Sequence, residues 1–407
     1  MLSIMYPNVM RKVNELTVGL LPVSIKADSI PKLIVKVSKE AILTAKLRQG
    51  FLIHLVPYEI PGVKSIGFLA TFFDDSQHPY YSGGGLIKEL MGRELAKLFI
   101  SPLVDVHFFN EFGHEMLAYR AEFKSNKKHR DMLLRAVFPS VYGLNQSALL
   151  TQIDKWWTLS GPSNDAEAIV VKFIEPLMSE DIVYVDMRPG VHDYHGASGY
   201  TMAPLEREEP GAFQEQEIIS LLQRTFSSDE IYLAPKRTYD KEEIVDILVV
   251  SEKSIILIQA KDSPNIERII NNSLERKRSA TNKALAKAVR QVSGAINYMR
   301  RADEFIALVN GREVGFDVSG KDVYGLVVVK ELFDDDYDIY TPPMIELFEQ
   351  TGIKCIPLAF SELHQYTTHL TDESEFFRAF LTVFDNGLEH GKFPRLRVLP
   401  AGSIVNN

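Results

Sequence analysis

Apolar and polar positions along this chain group into two patterned regions that meet near residue 190. In the first, runs rich in β-branched and aromatic residues predict strands at Lys32–Val37, Phe51–Tyr58, Ser65–Phe73, Ala168–Phe173 and Ile182–Val185. Val104–Phe123 reads as a hairpin turning near Phe112 and Gly113. Helical spacing predicts helices at Leu86–Ile100, with Leu86, Leu90, Leu95 and Leu98 facing inward, and at Lys127–Val137 and Gln146–Leu159. Residues 1–30, interrupted by Pro7 and Pro22, read as irregular with short strands, and residues 74–85 as a loop. The expected unit is an α+β domain over residues 1–190, suited to recognition, regulation or assembly.

Gly190, Gly196, Gly199, Pro204, Pro210 and Gly211 then crowd the stretch 189–212, the best boundary in the chain. Two readings stay open there: an exposed linker, or a long ordered connection across an interface. Beyond it, strands alternate with helices. Helix Phe213–Phe226 is followed by a strand near Ile231–Tyr239, two strands within residues 243–261, and a helical stretch from Ile266 to Arg301. Strand Val323–Val329, helix Pro342–Thr351, strand Lys354–Phe360 and helix Glu373–Phe384 complete the set. Such alternation predicts an α/β domain over 205–407, with a mixed central sheet flanked by helices.

The most informative run is Glu243–Lys261. Ile244 to Val250 and Ser254 to Ala260 read as two strands joined by the polar turn Ser251-Glu252-Lys253. Each strand carries polar residues that an ordinary core strand avoids: Asp246 within the first, and Gln259 and Lys261 on one face of the second. An acid, an amide oxygen and an ammonium on neighbouring strands suit a small metal-and-phosphate site. The alternative is a structural ion pair between Asp246 and Lys261, which leaves Gln259 beside it unexplained.

An acidic helix, Asp246, the tripeptide Gln259-Ala260-Lys261 and a later helix bearing Gln291 follow in the order of the PD-(D/E)xK nuclease superfamily. The chain resembles its branch with Gln in the second motif, as in Mrr-type restriction enzymes and nuclease-related domains, over residues 211–385. The resemblance implies a restriction-endonuclease-like fold and hydrolysis of phosphodiester bonds in DNA with Mg²⁺ or Mn²⁺. Asp246 would be the central metal ligand, with the Gln259 side chain and the Ala260 carbonyl oxygen as neutral ligands. Lys261 would orient the attacking water or stabilise phosphate charge. Gln259 removes one negative charge from the commoner pattern, and Glu215 on the opening helix would compensate, with Glu217 as the alternative. Gln291 would complete the catalytic set. Restriction or anti-phage defence is the expected setting.

Charge sharpens the substrate. The chain of 407 residues has net charge −9, so no global attraction to nucleic acid exists. Yet from Ile266 to Arg301 nine basic residues stand against two acids, Glu267 and Glu275. By helical geometry Leu285, Ala288, Val289, Val292 and Ile296 share an apolar face. Lys283, Lys287 and Arg290 form a separate stripe, with Gln291 and Tyr298 on the border. Arg276, Lys277, Arg278, Lys283, Lys287 and Arg290 are the expected DNA contacts. Partners other than DNA would be a second copy or another protein, through the first domain. The competing functions are a non-catalytic nucleic-acid-binding or scaffold protein with a degenerate nuclease fold, and an RNA-cutting effector.

Other features carry less. Ser82-Gly83-Gly84-Gly85 lacks the Lys-Ser/Thr pair of a phosphate loop. His192, Asp193 and His195 lack the spacing of a zinc site. Trp156-Trp157 reads as core or interface rather than a base-stacking platform, and the single cysteine, Cys355, as a buried small residue. A lone thiol, no apolar run of membrane length and no signal-peptide pattern predict a cytoplasmic protein.

Overall fold

The computed structural model describes residues 1–395, apart from 26–27, 61–62, 76–77, 90, 141, 143–144, 160, 303 and 334–335. It is a mixed α/β protein built on two main sheets. The first has eight strands, in the spatial order Gly19–Val23, Lys32–Lys36, Leu103–Phe109, Glu115–Lys124, Ile169–Pro176, Gly50–Ile60, Val63–Phe72 and Tyr80–Gly85. All its pairings are antiparallel except that of Lys32–Lys36 with Leu103–Phe109. The helix Lys39–Arg48, capped by the Ser38 hydroxyl, packs on it.

The second sheet has five strands, ordered Ile231–Leu233, Ile247–Val250, Ser254–Lys261, Asp322–Val329 and Lys354–Ala359. The first two pairings are antiparallel and the last two parallel. Helices Gly211–Leu222 and Leu274–Met299 pack on its middle strand, Ser254–Lys261. That strand is buried from Ser254 to Ala260, as expected for a strand covered on both faces. The apolar face expected on the long helix is buried at Leu285, Ala288, Val289, Val292 and Ile296, and the predicted stretch breaks at residues 271–273, where Ser273 caps the second piece.

Several expectations are corrected. The described part of residues 1–30 holds two short helices, Leu2–Met5 and Val9–Glu15, before the strand Gly19–Val23. The predicted helix 86–100 is confined to Gly92–Phe99; Leu86 is buried ahead of it, and Leu90 lies outside the described residues. Residues 80–85 form an edge strand rather than a loop. Glycine makes this possible, because a Cβ on Gly83 would stand 2.4 Å from Leu69 Cδ2 and 2.6 Å from the Phe68 carbonyl oxygen. The predicted strand 231–239 splits into Ile231–Leu233 and Lys236–Arg237, which belong to different sheets and are separated by Ala234 at φ 47°.

The stretch 189–212 is an ordered connection. Val183–Asp186 pairs with Thr201–Pro204, and the His195 amide and carbonyl bond to Ile231 and Leu233 of the second sheet. Tyr194 is buried in the second core and Leu205 in the first. The two sheets meet across buried polar groups. Lys39 Nζ lies 3.0 Å from Glu217 and 3.7 Å from Asp262, Lys277 Nζ lies 2.5 Å from Asp74, and Lys330 Nζ lies 3.7 Å from Glu40. Among the described residues no helix is long and apolar enough to cross a membrane.

Candidate functional site

The polar residues singled out at 246, 259 and 261 converge. The first strand begins at Ile247, so Asp246 sits in the bend just before it rather than within it. The backbone geometry explains this: the Asp246 carbonyl accepts the Ala234 amide, while its Oδ2 accepts the Ala260 amide at 2.8 Å. A side-chain oxygen thus replaces a rung of the ladder. It anchors the acid against the end of the neighbouring strand.

Gln259 and Lys261 lie on one face, as their spacing requires. Lys261 Nζ donates to Asp246 Oδ2 at 3.1 Å, Gln259 Oε1 at 3.0 Å and the Ala260 carbonyl at 2.9 Å. These are the three oxygens expected to ligate a metal, and they already surround a single cationic nitrogen. Asp246 and Gln259 are buried, whereas Lys261 keeps partial access to solvent.

Helix Gly211–Leu222 buries Ile218, Ile219, Leu221 and Leu222 and brings its carboxylates to the polar end of the sheet. The two alternatives on it separate. Glu217 is occupied: its carboxylate oxygens meet Arg207 at 2.5 Å and Lys39 at 3.0 Å. Burial alone would raise its pKa, but these two cations hold it at about 2. Glu215 is half-buried, and burial followed by the charges of Asp246 and Glu243 pushes its carboxyl up to about 7. Of the two carboxylates, Glu215 is therefore the one whose charge is opposed, first by burial and then by its acidic neighbours.

Gln291 stands on the border of its helix as expected, yet no hydrogen bond among the described residues links it to this group, and its buried Oε1 has no partner. Of the expected DNA contacts, Arg276, Lys283, Lys287 and Arg290 are exposed. Lys277 is held by Asp74 and Arg278 by Asp336, so both are structural as well as basic. His192 and His195 serve the connection between the sheets: one bonds the Asp186 carbonyl, and the other stacks on Tyr232 with ring centres 4.3 Å apart. Cys355 is buried.

Sequence reasoning missed Lys39, Arg207 and Asp262. Asp262 follows Lys261 directly and was visible as a neighbouring acid; Lys39 is 178 residues from its partner Glu217 and gave no signal. Among the described residues no group of three His, Cys, Asp or Glu side chains is placed to hold a metal, so any ion here would rely on the amide and carbonyl oxygens as well. No protein-family model and no curated protein matches this chain.

Proposed function

We propose that the chain is a metal-dependent nuclease, with a restriction-endonuclease-like domain over residues 205–407 that hydrolyses phosphodiester bonds in DNA. The observation that carries this reading is the ring of Asp246, Gln259 and Ala260 oxygens around one ammonium nitrogen, with the protonation-prone Glu215 beside it. The residues present fit a hard dication: three oxygens already converge on a positive charge, and the repulsion between Glu215 and Asp246 is what a cation would relieve.

Asp246, Glu215, the Gln259 side chain and the Ala260 carbonyl would hold Mg²⁺ or Mn²⁺, which when bound supplies a water of lowered pKa and neutralises phosphate charge. Lys261, partly open to solvent, offers its ammonium to the scissile phosphate, where charge grows in the transition state. Asp246 keeps that ammonium within reach. The test is nicking of supercoiled plasmid by the purified chain with Mg²⁺ or Mn²⁺, with EDTA and an RNA substrate as controls. No metal-dependent cleavage of DNA overturns the reading.

Lys283, Lys287 and Arg290 form the exposed stripe that would track the phosphate backbone. Replacing all three by Glu is expected to weaken DNA binding and flatten its salt dependence by up to three phosphate contacts, with thermal stability nearly unchanged. An identical affinity across a salt series would reduce the stripe to a solvated face. The second reading is a non-catalytic DNA-binding protein. It draws on the same contacts, since an ammonium satisfied by Asp246, Gln259 and Ala260 is also a sound structural ion pair. Divalent-ion binding by the intact chain separates the two.

A further inference from the structure

A cavity of about 380 Å³ lies between the paired strands Val183–Asp186 and Thr201–Pro204, helix Gly211–Leu222 and the turn that carries Phe112 and His114. Glu215, Asp246, Gln259 and Lys261 do not line it, so it is separate from the candidate site. Its volume falls at the low end of the range of small-molecule sites, enough for one compact ligand.

The charges around it do not balance. The titratable side chains in its lining are His114, Asp186, Arg188, Glu217 and Arg224. Asp186 is taken by Arg188, whose guanidinium holds its carboxyl at about 2. Glu217 is taken by Arg207 and Lys39. Burial lowers the pKa of His114, whose ring stacks on Tyr184 with centres 4.7 Å apart. Arg224 is left over. Its Nη1 donates to the Thr368 hydroxyl at 2.9 Å, and among the described residues it has no carboxylate within ion-pair distance. Its Nε and Nη2 meet no acceptor there, and neither is sealed from solvent. That pair of nitrogens is the edge by which a guanidinium takes a phosphate side-on.

The groups around Arg224 add to the excess. Burial, then the Arg224 charge, lowers the Lys36 ammonium to about 8. Burial, then Arg224 and Lys36, lowers the His364 imidazole to about 4. The acid beside them, Glu111, is pushed up to about 8 by burial and by Glu40, so it carries its proton at neutral pH. The rest of the lining describes the body of the anion. Phe112, Phe213 and Met202 supply apolar surface, and the two rings suit a flat heterocycle. Gln216, Ser220 and Thr201 suit sugar hydroxyls. Ser228 accepts from the Gln223 amide at 2.9 Å, which leaves its own proton to donate.

We propose that this cavity binds a nucleoside monophosphate, with its phosphate on Arg224 and its base against the aromatic wall. The inference stands apart from the nuclease reading. Gln216 and Ser220 belong to the helix that carries Glu215, so an occupant braces that helix from its other side chains.

The experiment is calorimetric titration of the full chain in EDTA with AMP, GMP, CMP and UMP in turn, and with inorganic phosphate and the four nucleosides as the separated parts. At least one monophosphate is expected to bind about tenfold or more tighter than either of its parts. Arg224→Gln is expected to weaken that binding about tenfold or more, because charge-assisted hydrogen bonds are lost. Met202→Trp, at an exposed position on the rim, fills the opening with little risk to folding and is expected to do the same. Lys261→Met, in the candidate site, is expected to bind the nucleotide as the parent does. No binding of any monophosphate at millimolar concentration overturns the proposal, as does equal binding of phosphate or nucleoside alone. Parental affinity in folded Arg224→Gln and Met202→Trp, or a loss in Lys261→Met instead, would put the nucleotide elsewhere and overturn it too.

Discussion

Asp246→Asn is expected to abolish metal-dependent DNA cleavage and Lys261→Met to slow it severely, for different reasons that one set of measurements separates. Asparagine keeps an oxygen for the Ala260 amide, now 2.8 Å from Asp246 Oδ2, so the strand junction survives. It removes the only charged ligand supplied by the strand pair, and neutral oxygens hold a hard dication poorly. Metal binding should be lost with little change in stability. Alanine is the harsher test, because it leaves the Ala260 amide without its acceptor and costs about 1–3 kcal/mol on top.

Lys261→Met removes the transition-state charge without removing a ligand. The cleavage rate is expected to fall about a hundredfold or more, on the order of 3 kcal/mol. Metal affinity should hold or improve, because the ammonium that now occupies the three oxygens is gone. A structural ion pair gives the opposite pattern: both variants lose stability and neither changes cleavage per folded molecule. If Lys261→Met cuts at the parental rate, the assignment of Lys261 fails.

Glu215→Gln is expected to make the protein more stable and less able to bind metal. The carboxyl is pushed from an ordinary 4.5 to about 7. Between those two values the folded protein holds a proton that the unfolded chain has released, so stability falls as pH rises through this window. Below 4.5 the effect is absent, and above about 7 it is complete. Glutamine removes the penalty, so its melting temperature should match the parent in acid and exceed it at pH 8, by a stability gain on the order of 1–3 kcal/mol. The parent's own deficit at pH 8 should shrink when Mg²⁺ is added, since a cation offsets the Asp246 and Glu215 charges. A difference that does not vary with pH would make Glu215 an ordinary solvated residue.

The heart of the site was legible because it breaks a rule. Polar residues at 246, 259 and 261 interrupt two β-branched runs, and period-two geometry puts the last two on one face. The long helix was legible for the opposite reason, as its apolar stripe is regular. Helix Lys39–Arg48 escaped notice because Lys39 to Ala45 are all buried, which leaves no stripe to read. Helix Phe360–His369 starts one residue after a strand, and the cap that stops the strand is local: Glu362 accepts the Ala359 amide at 2.8 Å. The hairpin Glu304–Val309 with Arg312–Asp317 was missed although Asn310-Gly311, both at positive φ, is the strongest short hairpin signal. The partners of Glu217 were beyond reach, since nothing local announces a lysine in another part of the chain.

Lys39 draws out one more consequence. A single ammonium from the first half neutralises a carboxylate on the helix that carries Glu215 and another on the residue after Lys261. Cutting the chain within 189–212 would, among the described residues, leave Glu217 with Arg207 alone and Asp262 with no cation so close. The Gly- and Pro-rich stretch is therefore a seam in composition but a poor place for modular exchange. A foreign first half could be grafted there only if it carried an ammonium to the same point in space. Shuffling of such halves between genes would be limited by this buried charge rather than by the length of the joint.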